Sequence, residues 1–241
     1  MHPNEYATMF RVEETHWWYR AQHRLLFQAL EKYLPDWKQK RILDAGCGTG
    51  AILKRLGDPA ANVGIDYSPE AIAFCRRRGL TNVVEGDICN LPFPDESFDA
   101  VICSSVLYHA WIVDLDRALS EMRRVLRPGG ALFINVPAFK FLHSPHDEAV
   151  MTARRFTRTE VRELLRKQNF QIRWITYWTT LLFPLALIAR TLRASQAGRD
   201  FETSPISPAQ RAFSVIMNVE LALLRHLALP FGVALFAVAR R

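Results

Sequence analysis

The stretch "RILDAGCGTGAILKRL", residues 41–56, limits the choice of fold more than any other part of the chain. A short apolar run ends in Asp44. Gly46, Gly48 and Gly50 follow at alternate positions, and an apolar pattern of helical period starts at once. A strand feeding a glycine turn that opens a helix is the first half of a nucleotide-binding βαβ unit. Residues without side chains let a ligand approach the backbone, and the helix N-terminus offers free N–H donors.

The pattern then repeats. "NVGID" reads as a second strand, and "SPEAIAFCRRRG" as a helix with Ser68 as N-cap and Pro69 at its first position. "NVVEG", "FDAVICS", "ALFINV" and "FQIRWITYW" read as strands three to six. "DLDRALSEMRRVLRPGG" is the helix before strand five, and Thr157 with Glu160 forms a capping box for the helix before strand six. Strict strand–helix alternation predicts a parallel sheet with helices on both faces. Residues 14–34, rich in Trp17, Trp18, Ala21, Leu25, Leu26, Ala29 and Leu30 on one face, predict an amphipathic helix that Pro35 stops. After strand six the pattern changes. "TTLLFPLALIARTLRA" and "PAQRAFSVIMNVELALLRHLA" are strongly apolar, with Ser207 and Gln210 as the second segment's capping box, and "PFGVALFAVARR" reads as a last strand. Neither apolar segment reaches the roughly 18 uninterrupted residues of a membrane span. The expected layout is a helical cap over 1–37, a cofactor-binding core over 38–177, an apolar insertion over 178–229 and a final strand over 230–241.

The glycines alone leave two cofactors open. They suit the pyrophosphate of a dinucleotide and equally the methionine end of S-adenosylmethionine. Asp66, about 20 residues past the first glycine, can bond ribose hydroxyls in either case. Two other acids discriminate. Asp44 stands where strand one meets the loop, badly placed for a pyrophosphate but well matched to an ammonium and a sulfonium. Asp87 follows strand three and can accept from an adenine amino group.

"ILDAGCGTG", "VGIDYS", "EGDICNLPFPDESFDAVICSSVLYH" and "MRRVLRPGGALFINVP" closely resemble the class I S-adenosylmethionine-dependent methyltransferases, most of all the ubiquinone/menaquinone-biosynthesis-type branch. The resemblance runs from about residue 38 to 177. "EETHWWYRAQHRLL" is similar to a bacterial subset marked by a His-Trp-Trp motif. The resemblance implies a doubly wound, seven-stranded, Rossmann-like sheet with an antiparallel last strand, and S-adenosylmethionine as cofactor. It implies that Asp44 faces the methionyl amino group, that Gly46, Cys47, Gly48 and Gly50 form the loop below the methionine, and that Asp66 holds the ribose. Tyr67 is then near the adenine, Asp87 and the Ile88 backbone meet its edge, and Ser104 floors the transfer site. The expected activity is methylation of a small, apolar or lipid-like acceptor, with oxygen favoured as nucleophile. The alternatives are a methyltransferase acting on RNA or protein and a non-catalytic adapter that retains the fold. No Asn-Pro-Pro-Tyr-type motif follows strand four.

His109, on the loop after strand four, is the candidate base, against a role in shaping that loop by hydrogen bonding. His143 and His146, with Asp147, form a second candidate group on the same rim. No third ligand accompanies them, so no metal is expected. Trp17, Trp18, Tyr108, Phe183 and Phe213 are candidate acceptor contacts. Arg76, Arg77 and Arg78 suit a helix C-terminus and read as surface, and Arg154 and Arg155 read as solvated at a helix start, against holding an anionic group of the substrate. The net charge of +7 permits an anionic partner, but the arginines are spread along the chain, so nucleic acid is not expected. Four cysteines without a C-x-x-C pair read as thiols of a reducing compartment, and the chain reads as cytoplasmic. The insertion has three readings: a roof over a greasy acceptor, a homodimer interface, or a contact with the inner face of the membrane through Arg190, Arg193 and Arg199.

Overall fold

Apolar runs bounded by turn residues form the strands of a seven-stranded sheet. In this computed structural model, which describes residues 3–57, 61–191 and 208–241, they are β1 (Ile42–Ala45), β2 (Val63–Asp66), β3 (Val83–Glu85), β4 (Phe98–Ser104), β5 (Leu126–Pro137), β6 (Gln171–Trp178) and β7 (Ala234–Arg240). Their order is β3-β2-β1-β4-β5-β7-β6. The pairs among β3, β2, β1, β4 and β5 are parallel, while β7 lies antiparallel between β5 and β6. This is the doubly wound, mostly parallel arrangement expected from the sequence.

The helices are α1 (Pro3–Val12), α2 (Trp17–Tyr33), α3 (Ala51–Leu56), α4 (Pro69–Arg77), α5 (Leu115–Val125), α6 (Pro145–Ala149), α7 (Arg158–Lys167), α8 (Phe183–Thr191) and α9 (Pro208–Leu224). Successive strand residues point to opposite faces, and the core divides accordingly. Leu43, Val101, Cys103, Leu132 and Ile134 meet α5 and α7 on one face through Leu119, Met122, Val161 and Leu165. Ile42, Ala100, Ile102, Phe133 and Phe236 meet α2, α3 and α9 on the other through Leu25, Leu26, Leu30, Leu53, Met217 and Leu221. A fully buried leucine contributes roughly 1.5–3 kcal/mol, so α2 is held firmly to the sheet.

Ser68 caps α4 by accepting from the Ala71 N–H, and both bonds of the Thr157–Glu160 capping box are present. The helix expected from residue 14 starts at Trp17, because the His16 ring accepts from the Trp18 N–H and ends the preceding turn. A separate helix, α1, precedes it.

The second apolar segment of the insertion joins the core: Met217 and Leu224 are buried against α2 and the sheet, which does not suit them to roof an acceptor. The physical reason is the apolar sheet face beyond α2, which α9 covers. Glu220 fixes the join: fully buried on α9, its carboxylate accepts from the backbone N–H groups of Thr179 and Leu181 just past β6. Ser207, Arg193 and Arg199 lie outside the described residues, as does the side chain of Arg190. No helix among the described residues is long and apolar enough to cross a membrane.

Candidate active site

The C-terminal ends of β1, β2 and β4 meet at one rim, as parallel pairing requires. At the end of β1 the chain turns through the glycine loop. Gly46 has φ +84°, and a Cβ there would overlap the Val106 side chain; Gly50 has φ +86° and is closed in by Leu80 and Cys75. Gly46 and Cys47 both donate to the Ile65 carbonyl (2.7 and 3.0 Å), which ties the loop to β2. Cys47 is buried, with its sulfur 3.9 Å from that of Cys75.

Asp66 and Asp44 flank this loop at the strand ends. Asp66 accepts from the Gly48 N–H (2.8 Å) and the Ser68 N–H (3.0 Å), which leaves acceptor capacity on both oxygens. Burial raises its pKa, and those donors pull it back. Asp44 is 1 % exposed, and its Oδ2 has no hydrogen-bond partner. Burial, reinforced by Asp66 and Glu13, pushes it up to about 8. An unpaired buried acceptor at the mouth of a glycine loop is the signature of a site built for a cationic group. The residues present therefore fit the ammonium and ribose of S-adenosylmethionine. Tyr67 is 62 % exposed at the end of β2, free to lie against a flat ring. Asp87 is exposed and orders its own turn by accepting from Cys89 N–H (2.8 Å), with Ile88 buried beside it.

The sequence reading missed what covers this loop. Met9 on α1 stands over Gly48, 2.9 Å from where a Cβ would be. Tyr6 is buried, and Glu13 bonds the Thr49 hydroxyl. Arg78, expected at the surface, is a correction: its side chain is 5 % exposed. It donates to the Thr49 carbonyl (2.6 Å), to Glu14 (2.7 Å) and to Glu13. As the C-cap of α4 it turns back under the loop, whereas Arg76 and Arg77 are exposed. The signal was present: Tyr6, Met9, Phe10 and Glu13 have the i, i+3, i+4, i+7 spacing of one helix face.

A row of hydrogen bonds crosses the rim beside the loop. Gln22 of α2 donates to Ser104 and Ser105 (both 2.8 Å), Asn135 of β5 donates to Ser105 (3.2 Å), and Trp178 of β6 donates to Asn135 (2.8 Å). Trp18 stacks on Trp178 at 4.6 Å, and Trp17 meets Phe213 at 5.3 Å. Beyond them Phe183 packs with Phe139, Phe141 and Phe231. The rim thus has a polar, carboxylate-bearing half and an aromatic half. Neither cavity of about 300 and 590 Å³ belongs to it; both open at the opposite edge, around Tyr33.

His109 is 3 % exposed, stacked on Trp111 (3.9 Å) and in tilted contact with Tyr108 (4.2 Å). Its Nδ1 lies 2.8 Å from the Val150 carbonyl, so that nitrogen carries the proton. Burial lowers its pKa to about 3. With Ala110 N–H bonded to Met151 and Ala153 N–H to Tyr108, the ring fastens the post-β4 loop to residues 150–153. The structure favours this shaping role over that of a base. The Tyr108 hydroxyl, raised by burial, stays protonated. His143 is exposed, and the His146 side chain lies outside the described residues. Asp147 is 2 % exposed and held by Arg155 through two bonds of 2.9 Å. Arg155, expected to be solvated, is 6 % exposed. No group of three or more His, Cys, Asp or Glu among the described residues could hold a metal.

Residues 43–134 match the family model described as a methyltransferase domain. The core of this chain is a class I S-adenosylmethionine-dependent methyltransferase domain. Its cofactor is S-adenosylmethionine. A relative from Mycolicibacterium smegmatis, described as "Probable S-adenosylmethionine-dependent methyltransferase", is 31 % identical over 67 % of this chain and 62 % of its own length. A fatty-acid O-methyltransferase of the same organism is 46 % identical over 39 % of this chain and 36 % of its own. The matched stretches thus span less than two thirds of either relative. A solved S-adenosylmethionine-dependent methyltransferase from Thermotoga maritima superposes with a TM-score of 0.61 over 98 % of this chain and 95 % of that one; at 23 % identity this likeness concerns the fold.

Proposed function

We propose that the protein transfers a methyl group from S-adenosylmethionine to an oxygen of a small apolar acceptor, with the carboxylate of a lipid-like acid as first candidate. The observation that carries this reading is the divided rim: the unpaired Asp44 and the glycine loop on one side, and the Trp17, Trp18, Phe183 and Phe213 aromatics on the other. When bound, the cofactor supplies a methyl already activated on a sulfonium. Asp44 and Asp66 hold its ammonium and ribose, and α1 excludes water from the loop. The aromatic half holds the acceptor's apolar body. Orientation of this kind contributes roughly 7–11 kcal/mol in good intramolecular models.

The state of His109 supports a carboxylate over a hydroxyl. An alcohol must lose a proton as it attacks, and the buried, carbonyl-bound imidazole is poorly placed to take one. A carboxylate is ionised at neutral pH and needs no base. The likeness to a fatty-acid O-methyltransferase points the same way. The test is methyl transfer from radiolabelled cofactor to saturated fatty acids, hydroxylated aromatics, bulk tRNA and cell protein offered separately. Label extracted as fatty-acid methyl ester is expected. Label on tRNA or protein alone would refute the acceptor class, and tight cofactor binding with no transfer to any extract would favour an adapter.

A further inference from the structure

Helix α9 is apolar on the side that the sheet does not use. Val215, Val219 and Leu223 follow one another at intervals of four and are 62, 53 and 40 % exposed. Ala212 and Ala222 are exposed between them, and Leu227 continues the line in the turn that follows. A helix apolar on all sides is normally covered on all sides. Single exposed leucines need no explanation, but a stripe along a whole helix does. Helix α8 repeats the feature with Leu185 and Ile188 exposed, and Leu181 ahead of it.

Cations outnumber acids around the stripe, where the exposed Glu31 is the acid on α2 beside it and Arg241 is paired with Glu96. Between Thr179 and Thr191, and from Pro208 to Arg241, the only acid is Glu220, which is fully buried. Arg211 is exposed on α9 and Arg225 in the turn that follows it. Alongside, α2 brings exposed Arg24, bonded to Asn218, and Lys32, whose ammonium donates to the Arg225 carbonyl (3.0 Å). These bonds show that α2 and α9 run parallel, so the cations border the stripe along its length. At its lower end Lys32, Arg173, Arg240 and Arg241 line the cavity beside Tyr33, whose ring stacks on Trp174. Glu31 is the one acid lining either cavity there. An apolar stripe edged by cations, with aromatic rings at its border, matches the boundary between acyl chains and anionic head groups.

We infer that the outward face of α9, with its arginine border, rests on the surface of an anionic lipid bilayer. The helix lies in the plane of the interface and does not cross it. Its first turns reach the catalytic rim, where Phe213 meets Trp17. The docked face therefore leads directly to the aromatic half of the site. The docking itself does not depend on the acceptor proposed above.

The test is flotation of the full-length protein with vesicles of phosphatidylcholine, alone and mixed with phosphatidylglycerol. Two variants accompany the wild type: the triple change Val215→Ser, Val219→Ser, Leu223→Ser, and the pair Arg211→Glu, Arg225→Glu. All these side chains point outward, so both variants should retain the circular dichroism spectrum and the cofactor affinity of the wild type. Wild type is expected to float with the anionic vesicles only. Each variant should lose at least about tenfold in vesicle affinity, and added salt should weaken the wild type. Absence of wild-type flotation, or unchanged flotation of folded serine variant, overturns the inference. So does a dimer, seen by light scattering, that the serine variant dissolves while the wild type ignores vesicles; the stripe would then join two copies of the chain.

Discussion

Replacing Asp44 by Asn should stabilise the cofactor-free protein and weaken its grip on S-adenosylmethionine, two effects that rarely go together. The carboxyl is 1 % exposed with an unpartnered oxygen, and burial takes it from its ordinary 3.8 to about 8. A folded pKa above the unfolded one means that the proton favours the folded state. The stability it contributes is complete below about pH 4 and is lost as the pH rises to about 8. At 1.36 kcal/mol per unit, the loss at neutral pH is at most about 4 kcal/mol. Asparagine carries no such cost, so Asp44→Asn should raise the melting temperature of the free protein at pH 7.5 by several degrees, at about 2–4 °C per kcal/mol for a chain of this size. The same change removes a charge-assisted bond to the cofactor ammonium, worth about 1.5–3 kcal/mol, or roughly 10- to 150-fold in affinity. Binding should also expel the Asp44 proton. Wild-type affinity is then expected to rise nearly tenfold per unit between about pH 6 and 7, with calorimetry in buffers of different ionisation enthalpy detecting close to one proton released. The asparagine variant should show neither. Equal affinity in the two proteins, or a wild-type affinity flat across that range, would refute the pairing of Asp44 with the ammonium.

Gly46→Ala combines φ +84° with overlap on Val106 and should cost about 2–4 kcal/mol by denaturant titration; adding Val106→Ala should recover the steric share only, and a neutral single variant would contradict the geometry. Burial lowers His109 to about 3 and His23 to about 4, so the stability these neutral rings contribute is present above pH 6.5 and lost as the pH falls below it. Glutamine at both positions should flatten the decline between about pH 6.5 and 5, where each ring costs up to about 2 kcal/mol, and the kcat profile should show no limb from His109 above pH 5. Phe183→Ala should raise KM for the acceptor several-fold while cofactor affinity measured by calorimetry stays unchanged; a matching loss of cofactor affinity would move Phe183 out of the aromatic half.

The strands and the glycine loop were legible because each rests on local chemistry, whereas the antiparallel β7 followed from the family resemblance. Ser68, Thr157 and Glu160 cap their helices through their own backbone neighbours. The reading of Asp44 rested on charge instead, since a carboxylate before a glycine loop sits poorly beside a pyrophosphate. What could not be read depends on partners far along the chain. Gln22 and Asn135 look like ordinary polar residues until α2 and β5 bring them to Ser105 from 83 and 30 positions away. Asp147 next to two histidines suggests a pair with them, and nothing local shows that the buried Arg155 eight positions on gives it two parallel bonds, one to each oxygen. Arg78 belongs to a run of three arginines, and nothing local distinguishes the one whose backbone turns it inward.

Helix α9 shows the limit most clearly. Its pattern places Met217, Leu221 and Leu224 on one side and Val215, Val219 and Leu223 on the other. Periodicity cannot choose between two apolar faces. The sheet makes the choice, through Glu220. Its carboxylate can satisfy the N–H groups of Thr179 and Leu181 only if that side of the helix faces the end of β6, and a buried carboxylate without them would cost several kcal/mol. The one acid in the segment therefore sets the rotation of the helix about its axis. Once it is set, Met217, Leu221 and Leu224 must enter the core and Val215, Val219 and Leu223 must face out. The outward apolar stripe is thus a consequence of how the insertion is anchored, and replacing its residues should leave the anchor, and the fold, in place.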